Sequence, residues 1–189
     1  MRYRRDRTCG ATYFFTVVTF QRAPLFANAD HLARLRAAFR DIRAKHPFAI
    51  DAMVVLPEHL HCLWTLPAGD DDYPLRWSLI KGAFTRSLPD TDKRPRASRR
   101  QFVVSAGATD SARREQAVWQ RRYWEHRIRD DDDYARHCDY IHWNPVRHGL
   151  VERAPDWPHS SFGRFVAAGF YPSDWGGAEP EMLDFPAGE

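Results

Sequence analysis

Two short stretches of this 189-residue chain, far apart in sequence, carry residue types that can do chemistry together. In VVLPEHLHCLW, residues 54–64, His59 and His61 stand two apart in an apolar, strand-like run. Side chains two apart on a strand share a face, so the pair is a two-imidazole metal clamp, with Glu58 and Cys62 beside it. In DYIHWNPVRHG, residues 139–149, Tyr140 and Asn144 stand four apart in a segment that reads as helix. Phenol and amide then lie on one helical face. A phenol ionises near pH ~10 and is a weak nucleophile at neutral pH without a base or a cation beside it. A divalent metal polarises a scissile phosphate and offsets charge in the transition state. Imidazoles alone permit zinc, whereas phosphate and amide oxygens favour Mg2+ or Mn2+. Paired histidines, a helical tyrosine and a basic front half are the parts needed to cut a nucleic-acid strand through a tyrosyl-phosphate intermediate.

Each residue also has a duller reading. An H-x-H pair arises by chance in a histidine-rich chain, a helical tyrosine commonly packs with its hydroxyl in water, and Asn before Pro makes a good helix stop. These readings weaken only if the two stretches face each other. His137 shares the Tyr140 face three residues earlier, so it joins Glu58 as an outer group, while Tyr134, Cys138 and Ile141 form a separate apolar stripe.

The elements that must position these residues follow from periodicity. Residues 13–20, rich in Phe, Val and Thr, read as a first strand. Asp30 can cap a helix to about Lys45, with Leu32, Leu35, Phe39 and Ile42 on its apolar stripe. Residues 48–56 and 59–66 make a second and third strand around a Pro57–Glu58 turn. Asp70, Asp71 and Asp72 favour the start of a helix over about 74–88, with Leu75, Leu79 and Leu88 for the core. Residues 119–128 read as a fourth strand, and aspartates 130–133 open a third helix that stops near Trp143, before Pro145. The order β-α-β-β-α-β-α predicts an α+β, ferredoxin-like or RRM-like core: a four-stranded antiparallel sheet with helices on one face. Residues 1–155 form the expected domain, with an inserted basic loop at 89–117. Residues 156–189 form a C-terminal extension packed on it and ending in an acidic tail.

Composition narrows the setting. The hydrophobic share of 43% and aromatic share of 14% predict a folded globule. The formal net charge of +3 is uneven: residues 1–100 hold 18 Lys and Arg against 10 Asp and Glu, the remainder 10 against 15. A basic front half suits a polyanionic partner. Cys9, Cys62 and Cys138 are odd in number and lack a C-x-x-C, which fits a reducing cytoplasm. The basic start followed by YFFTVVTF reads as a strand rather than a signal peptide, and no stretch approaches the ~20 apolar residues of a membrane span.

The stretches YFFTVVTF, VVLPEHLHCLWTLPAGDDDYPLRW, WQRRYWEHRIRDDDDY, DYIHWNPVRHGLV and DWPHSSF, in that order, resemble the REP-associated tyrosine transposases, which belong to the His-hydrophobic-His single-tyrosine enzymes. The resemblance implies that Tyr140 is the nucleophile, His59 and His61 are metal ligands and Asn144 is a third ligand. It implies cleavage and rejoining of single-stranded DNA at repetitive extragenic palindrome (REP) hairpins through a 5′-phosphotyrosine, with Mg2+ or Mn2+ and no nucleotide cofactor. The long C-terminal extension resembles the monomeric branch. Charge then nominates Arg2, Arg4, Arg5, Lys93, Arg94, Arg96, Arg99 and Arg100 as phosphate contacts. Two other readings stand beside this one: a catalytically inactive hairpin-binding module on the same fold, and a zinc hydrolase using Glu58.

Overall fold

The computed structural model describes residues 6–93 and 118–176. Arg2, Arg4, Arg5, Arg94, Arg96, Arg99, Arg100, nearly all of the basic loop and most of the acidic tail lie outside the described residues. Within them the chain forms β1 (Thr12–Val18), α1 (Ala29–Lys45), β2 (Ala49–Val55), β3 (His59–Thr65), α2 (Tyr73–Ser87), β4 (Trp124–Arg127), α3 (Asp131–Arg147) and a short α4 (Phe162–Ala167). The strands make one sheet in the order β2-β3-β1-β4, every neighbouring pair antiparallel, which is the expected ferredoxin-like plan.

β1 and β3 are central and buried on both faces, so their two-residue period splits them between two layers. Tyr13, Phe15, Val17, Leu60, Cys62 and Trp64 face α1 and α2 in the larger layer. There Trp64 stacks on Trp77 at 4.3 Å between ring centres, and each such aromatic removed from water contributes about 1.5–3 kcal/mol. Asn28, rather than Asp30, caps α1, its side chain accepting from the amides of Asp30 and His31. Asp72 caps α2, while Asp70 forks the buried Arg76 guanidinium at 2.9 and 2.7 Å. The α2 core differs from expectation. Tyr73, Trp77, Ile80 and Phe84 are buried, Leu88 joins the core as expected, and Leu75 is 42% exposed, because the aromatic stripe takes its place against the sheet.

Phe14, Ala52, Val54, Leu56 and Leu63 point to the other layer, where Cys138, Tyr140 and Ile141 of α3 cover them. Helices therefore sit on both faces, not one. With α1 and α2 filling the first face, an equally apolar second face can be buried only by the next helix in the chain. Three further expectations are corrected. β4 is only Trp124–Arg127, and Trp119 instead makes an isolated bridge to Thr19. α3 runs through Pro145 to Arg147: a proline forfeits one backbone bond, yet the burial of Tyr140, Ile141, Trp143 and Asn144 holds the last turn. Strand alternation places Cys62 in the layer opposite His59 and His61.

Residues beyond α3 bind the edge strand. Val55 N–H donates to the His159 carbonyl at 2.9 Å, Ser161 N–H to Met53 O at 2.8 Å, and Trp157 Nε1 to Val55 O at 3.0 Å. An otherwise open β2 edge is thereby capped. No helix among the described residues is long and apolar enough to cross a membrane.

Two α3 histidines are buried neutral. Burial lowers His137 to about 4 and His142 to about 3. Both folded values lie below the unfolded value near ~6.5, so between these limits the unfolded chain binds more protons and stability falls as pH falls. Urea midpoints should therefore decrease from pH 6.5 to 4. His142→Gln, which keeps a donor to Ser161, should flatten that slope by about one proton; an unchanged slope would contradict the assignment.

Candidate metal and tyrosine site

β3 presents His59 and His61 on the α3 side, their rings 4.8 Å apart and nearly perpendicular. Both are buried, with 1% and 0% of their surface exposed. His59 Nδ1 lies 3.0 Å from Glu58 Oε1. A carboxylate accepts, so the proton sits on Nδ1 and Nε2 carries a lone pair, with no hydrogen-bonding partner among the described residues. A carboxylate orienting a histidine in this way is the usual support for a metal ligand. His61 Nδ1 lies 2.9 Å from the Thr16 hydroxyl of β1, directly across the register, so Nε2 is the nitrogen a metal can use. Burial lowers His59 to about 4 against the pull of Glu58, and lowers His61 well below the ordinary imidazole value. Both rings are therefore neutral at neutral pH, each with one nitrogen bearing a lone pair, as metal binding requires.

α3 lays one face along this pair. The Tyr140 ring is 5.1 Å from His61, and the His148 ring, just past the helix, is 5.2 Å from His59. Asn144 lies between those two contacts, one turn from each. It is wholly buried, and neither its amide oxygen nor its nitrogen has a hydrogen-bonding partner among the described residues. A buried amide in that condition costs roughly 1–3 kcal/mol, which a metal bound through the oxygen would offset. Two imidazole nitrogens and one amide oxygen are a donor set that fits a divalent cation. Phe14 is the floor under the site, 5.6 Å from His61, 5.9 Å from Tyr140 and 4.8 Å from His137. The Arg147 guanidinium sits 5.5 Å from the Tyr140 ring centre, a positive charge that favours the phenolate.

A second group of metal-capable side chains lies at the other end of the α3 contact. The ligand atoms of His126, Asp133 and His137 fall within 4.8 Å of one another. Here the carboxylate is already engaged: Arg129 donates to Oδ2 at 3.0 Å and to Oδ1 at 3.3 Å, and His126 Nε2 lies 2.8 Å from Oδ2. Burial opposes the Asp133 charge, but the bonds from Arg129 and His126 overcome it and hold the carboxyl well below the ordinary range. His137 Nδ1 donates to the Asp133 carbonyl at 2.7 Å. A cation entering here would have to compete with the Arg129 guanidinium for the carboxylate. The group acts as a lock that pins the start of the tyrosine helix to β4.

The structure thus brings together His59, His61, Tyr140, Asn144 and Glu58, and places His137 against Phe14 rather than as a partner of the histidine pair. Lys93 pairs with Asp90 at 2.8 Å. Sequence reading missed Thr16, Arg147, His148 and the lock. The D-x-x-x-H spacing of Asp133 and His137 signalled the lock, whereas the role of Thr16 depends on strand register, which no local pattern encodes.

Asp133→Asn keeps the shape and removes the charge, leaving Arg129 and His126 poorly partnered. Thermal unfolding should report a loss of about 2 kcal/mol. A variant as stable as the parent would remove the lock.

No family model matches the chain. A REP-associated tyrosine transposase of Haemophilus influenzae is 44% identical over 175 residues, covering 93% of each chain. One from Escherichia coli K12 is 42% identical over 187 residues, covering 99% of this chain and 96% of the relative. A solved structure of a REP-associated tyrosine transposase bound to a REP hairpin superimposes with a TM-score of 0.77 at 41% identity, covering 100% of this chain and 97% of the other. With identity at this level over nearly the full length, carried on the same fold, the chain belongs to the REP-associated tyrosine transposase family.

Proposed function

We propose that the protein cuts and rejoins single-stranded DNA at REP-type hairpins, with Tyr140 as nucleophile and His59, His61 and Asn144 holding Mg2+ or Mn2+. The observation that carries this reading is the α3 register. It sets the Tyr140 ring against His61 and leaves a buried Asn144 amide, without a hydrogen-bonding partner among the described residues, one turn further on.

The Tyr140 oxygen attacks phosphorus, forming the tyrosine–phosphate bond as the bond to the 3′ oxygen breaks. The phenol proton is lost and the leaving oxygen takes one up, so the products are a 5′-phosphotyrosine and a free 3′ hydroxyl. Arg147 lowers the cost of the phenolate through its charge over the ring. Glu58 and Thr16 hold the two imidazoles in one orientation, so no reorganisation is required when the substrate arrives. A bound divalent cation supplies positive charge to the scissile phosphate and to the departing 3′ oxygen. The phosphotyrosine conserves the energy of the broken bond, so rejoining by the 3′ hydroxyl needs no nucleotide cofactor. One chain contains every group used, which suits a monomer. A relative solved with DNA carries a REP hairpin, and that supports the same partner here.

Incubation with a labelled single-stranded REP hairpin and Mg2+ should give a denaturation-resistant protein–DNA complex. Tyr140→Phe should abolish the complex while leaving hairpin affinity within a few-fold, because only the nucleophilic oxygen is lost. Cleavage that persists in this variant would overturn the assignment. Binding without any adduct in the parent protein would mark an inactive hairpin-binding module. His61→Ala should lose metal affinity and cleavage together, and full cleavage by the parent in excess chelator would exclude the metal.

A further inference from the structure

The DWPHSSF stretch is not used by the site above, yet it is built into the sheet edge with defined bonds. Its His159 and Ser161 form one wall of a groove of about 650 Å3 whose other wall is α1. Phe39, Ile50 and Met53 contribute to an apolar floor. Arg36, Arg40 and Arg43 line it with no Asp or Glu among the lining residues. On α1 these three arginines fall at i, i+4 and i+7, one helical face about 10 Å long. The exposed Arg40–Asp41 pair at 3.3 Å offsets little of this charge.

His159 completes the rim. Arg36 Nη2 lies 3.1 Å from His159 Nδ1, and a guanidinium can only donate, so Nδ1 accepts and the ring proton sits on Nε2. The groove therefore offers a second kind of donor beside its three fixed charges. Its floor belongs to the α1 side of the sheet, and the edge strand under it joins the histidine strand through the backbone. His159 O holds Val55 N–H, and Val55 pairs with Leu60, the residue between His59 and His61.

Forked cations over an apolar floor fit a chain that carries phosphates on one side and flat apolar bases on the other. We propose that this groove is the track for the single strand that leaves the foot of the hairpin, with phosphates on Arg36, Arg40 and Arg43 and bases toward Ile50 and Met53. The proposal rests on the hairpin reading above and adds a binding surface for the strand outside the hairpin.

The test uses the full chain carrying Arg36→Gln and Arg40→Gln. Arg43 is left in place because its Nε supports the Phe48 carbonyl at 3.1 Å. Probes are a bare REP hairpin and the same hairpin with a single-stranded extension of about six nucleotides on the 5′ or the 3′ side. Affinities are measured over a range of salt, with thermal unfolding as the check of fold. The parent should bind one extended probe more tightly than the bare hairpin. The double variant should lose about tenfold on that probe, flatten its log–log salt slope by about 1.4, and bind the bare hairpin within twofold of the parent. Arg36→Lys with Arg40→Lys should restore the slope. Equal binding of the extended probe by parent and double variant overturns the track. So does an equal loss on the bare hairpin, which would put the stem on α1. If the parent binds neither probe, the hairpin reading fails and the track fails with it.

Discussion

Burial of β3 on both faces is the constraint on which the other features depend. A strand with a two-residue period and no exposed face must send alternate residues into two layers. Leu60, Cys62 and Trp64 go to the α1 and α2 side, and His59 and His61 go to the other. Two imidazoles in a dry layer cannot hold protons cheaply, and burial lowers both. The fold thus delivers two neutral, pre-oriented ligand nitrogens as a consequence of where a central strand lies. Thr16 and Glu58 fix the ring orientations, and Thr16 could not do so if the β1–β3 register slipped by one residue, because every side chain would then change face.

The second layer also explains why the tyrosine sits on a helix that follows the core. Phe14, Ala52, Val54 and Leu63 leave an apolar face that α1 and α2 cannot reach, and α3 buries it. Covering that face costs the helix an exposed stripe. His137, Tyr140 and Asn144 are all nearly solvent-free, so their polar atoms must be satisfied by specific partners. The Asp133 lock serves His137 and the helix start. The Asn144 amide has no such partner among the described residues, and local stability given up at one buried group is a common mark of a functional position. Tyr140 is placed through packing: Phe14 below, His61 beside it and Arg147 above its ring.

Much of this was legible in the sequence because the signals were local. Alternation marked β1 and β3, H-x-H on a strand put His59 and His61 on one face, and i, i+4 spacing joined Tyr140 to Asn144. What was not legible depended on tertiary competition. The end of α3 was misplaced because a proline rule that holds for an isolated helix yields to burial of the turn around Pro145. The α2 stripe was misread because leucine counts say nothing about which side chains stack best, and Trp77 on Trp64 won over Leu75. The side of the sheet taken by α3 follows from which face is already full, a property of the whole chain. Arg36, Arg40 and Arg43 read in the sequence as an ordinary solvated helix face, because only the fold brings the C-terminal segment opposite them as a second wall.

The edge of the sheet links these layers to the surface. β2 has β3 on one side only, and an open edge of this length invites pairing with another chain. The chain resolves this by folding its own C-terminal segment back, with Ser161 bridging Met53 and His142 and the His159 carbonyl taking the Val55 amide. The two backbone bonds to β2 fix the segment in register, and the register in turn sets His159 beside Arg36. Protection of an edge and construction of a charged groove therefore have one cause. A substitution at Ser161 would disturb both together with the packing of His142 on α3, because the same hydroxyl serves the edge strand and the helix that carries Tyr140.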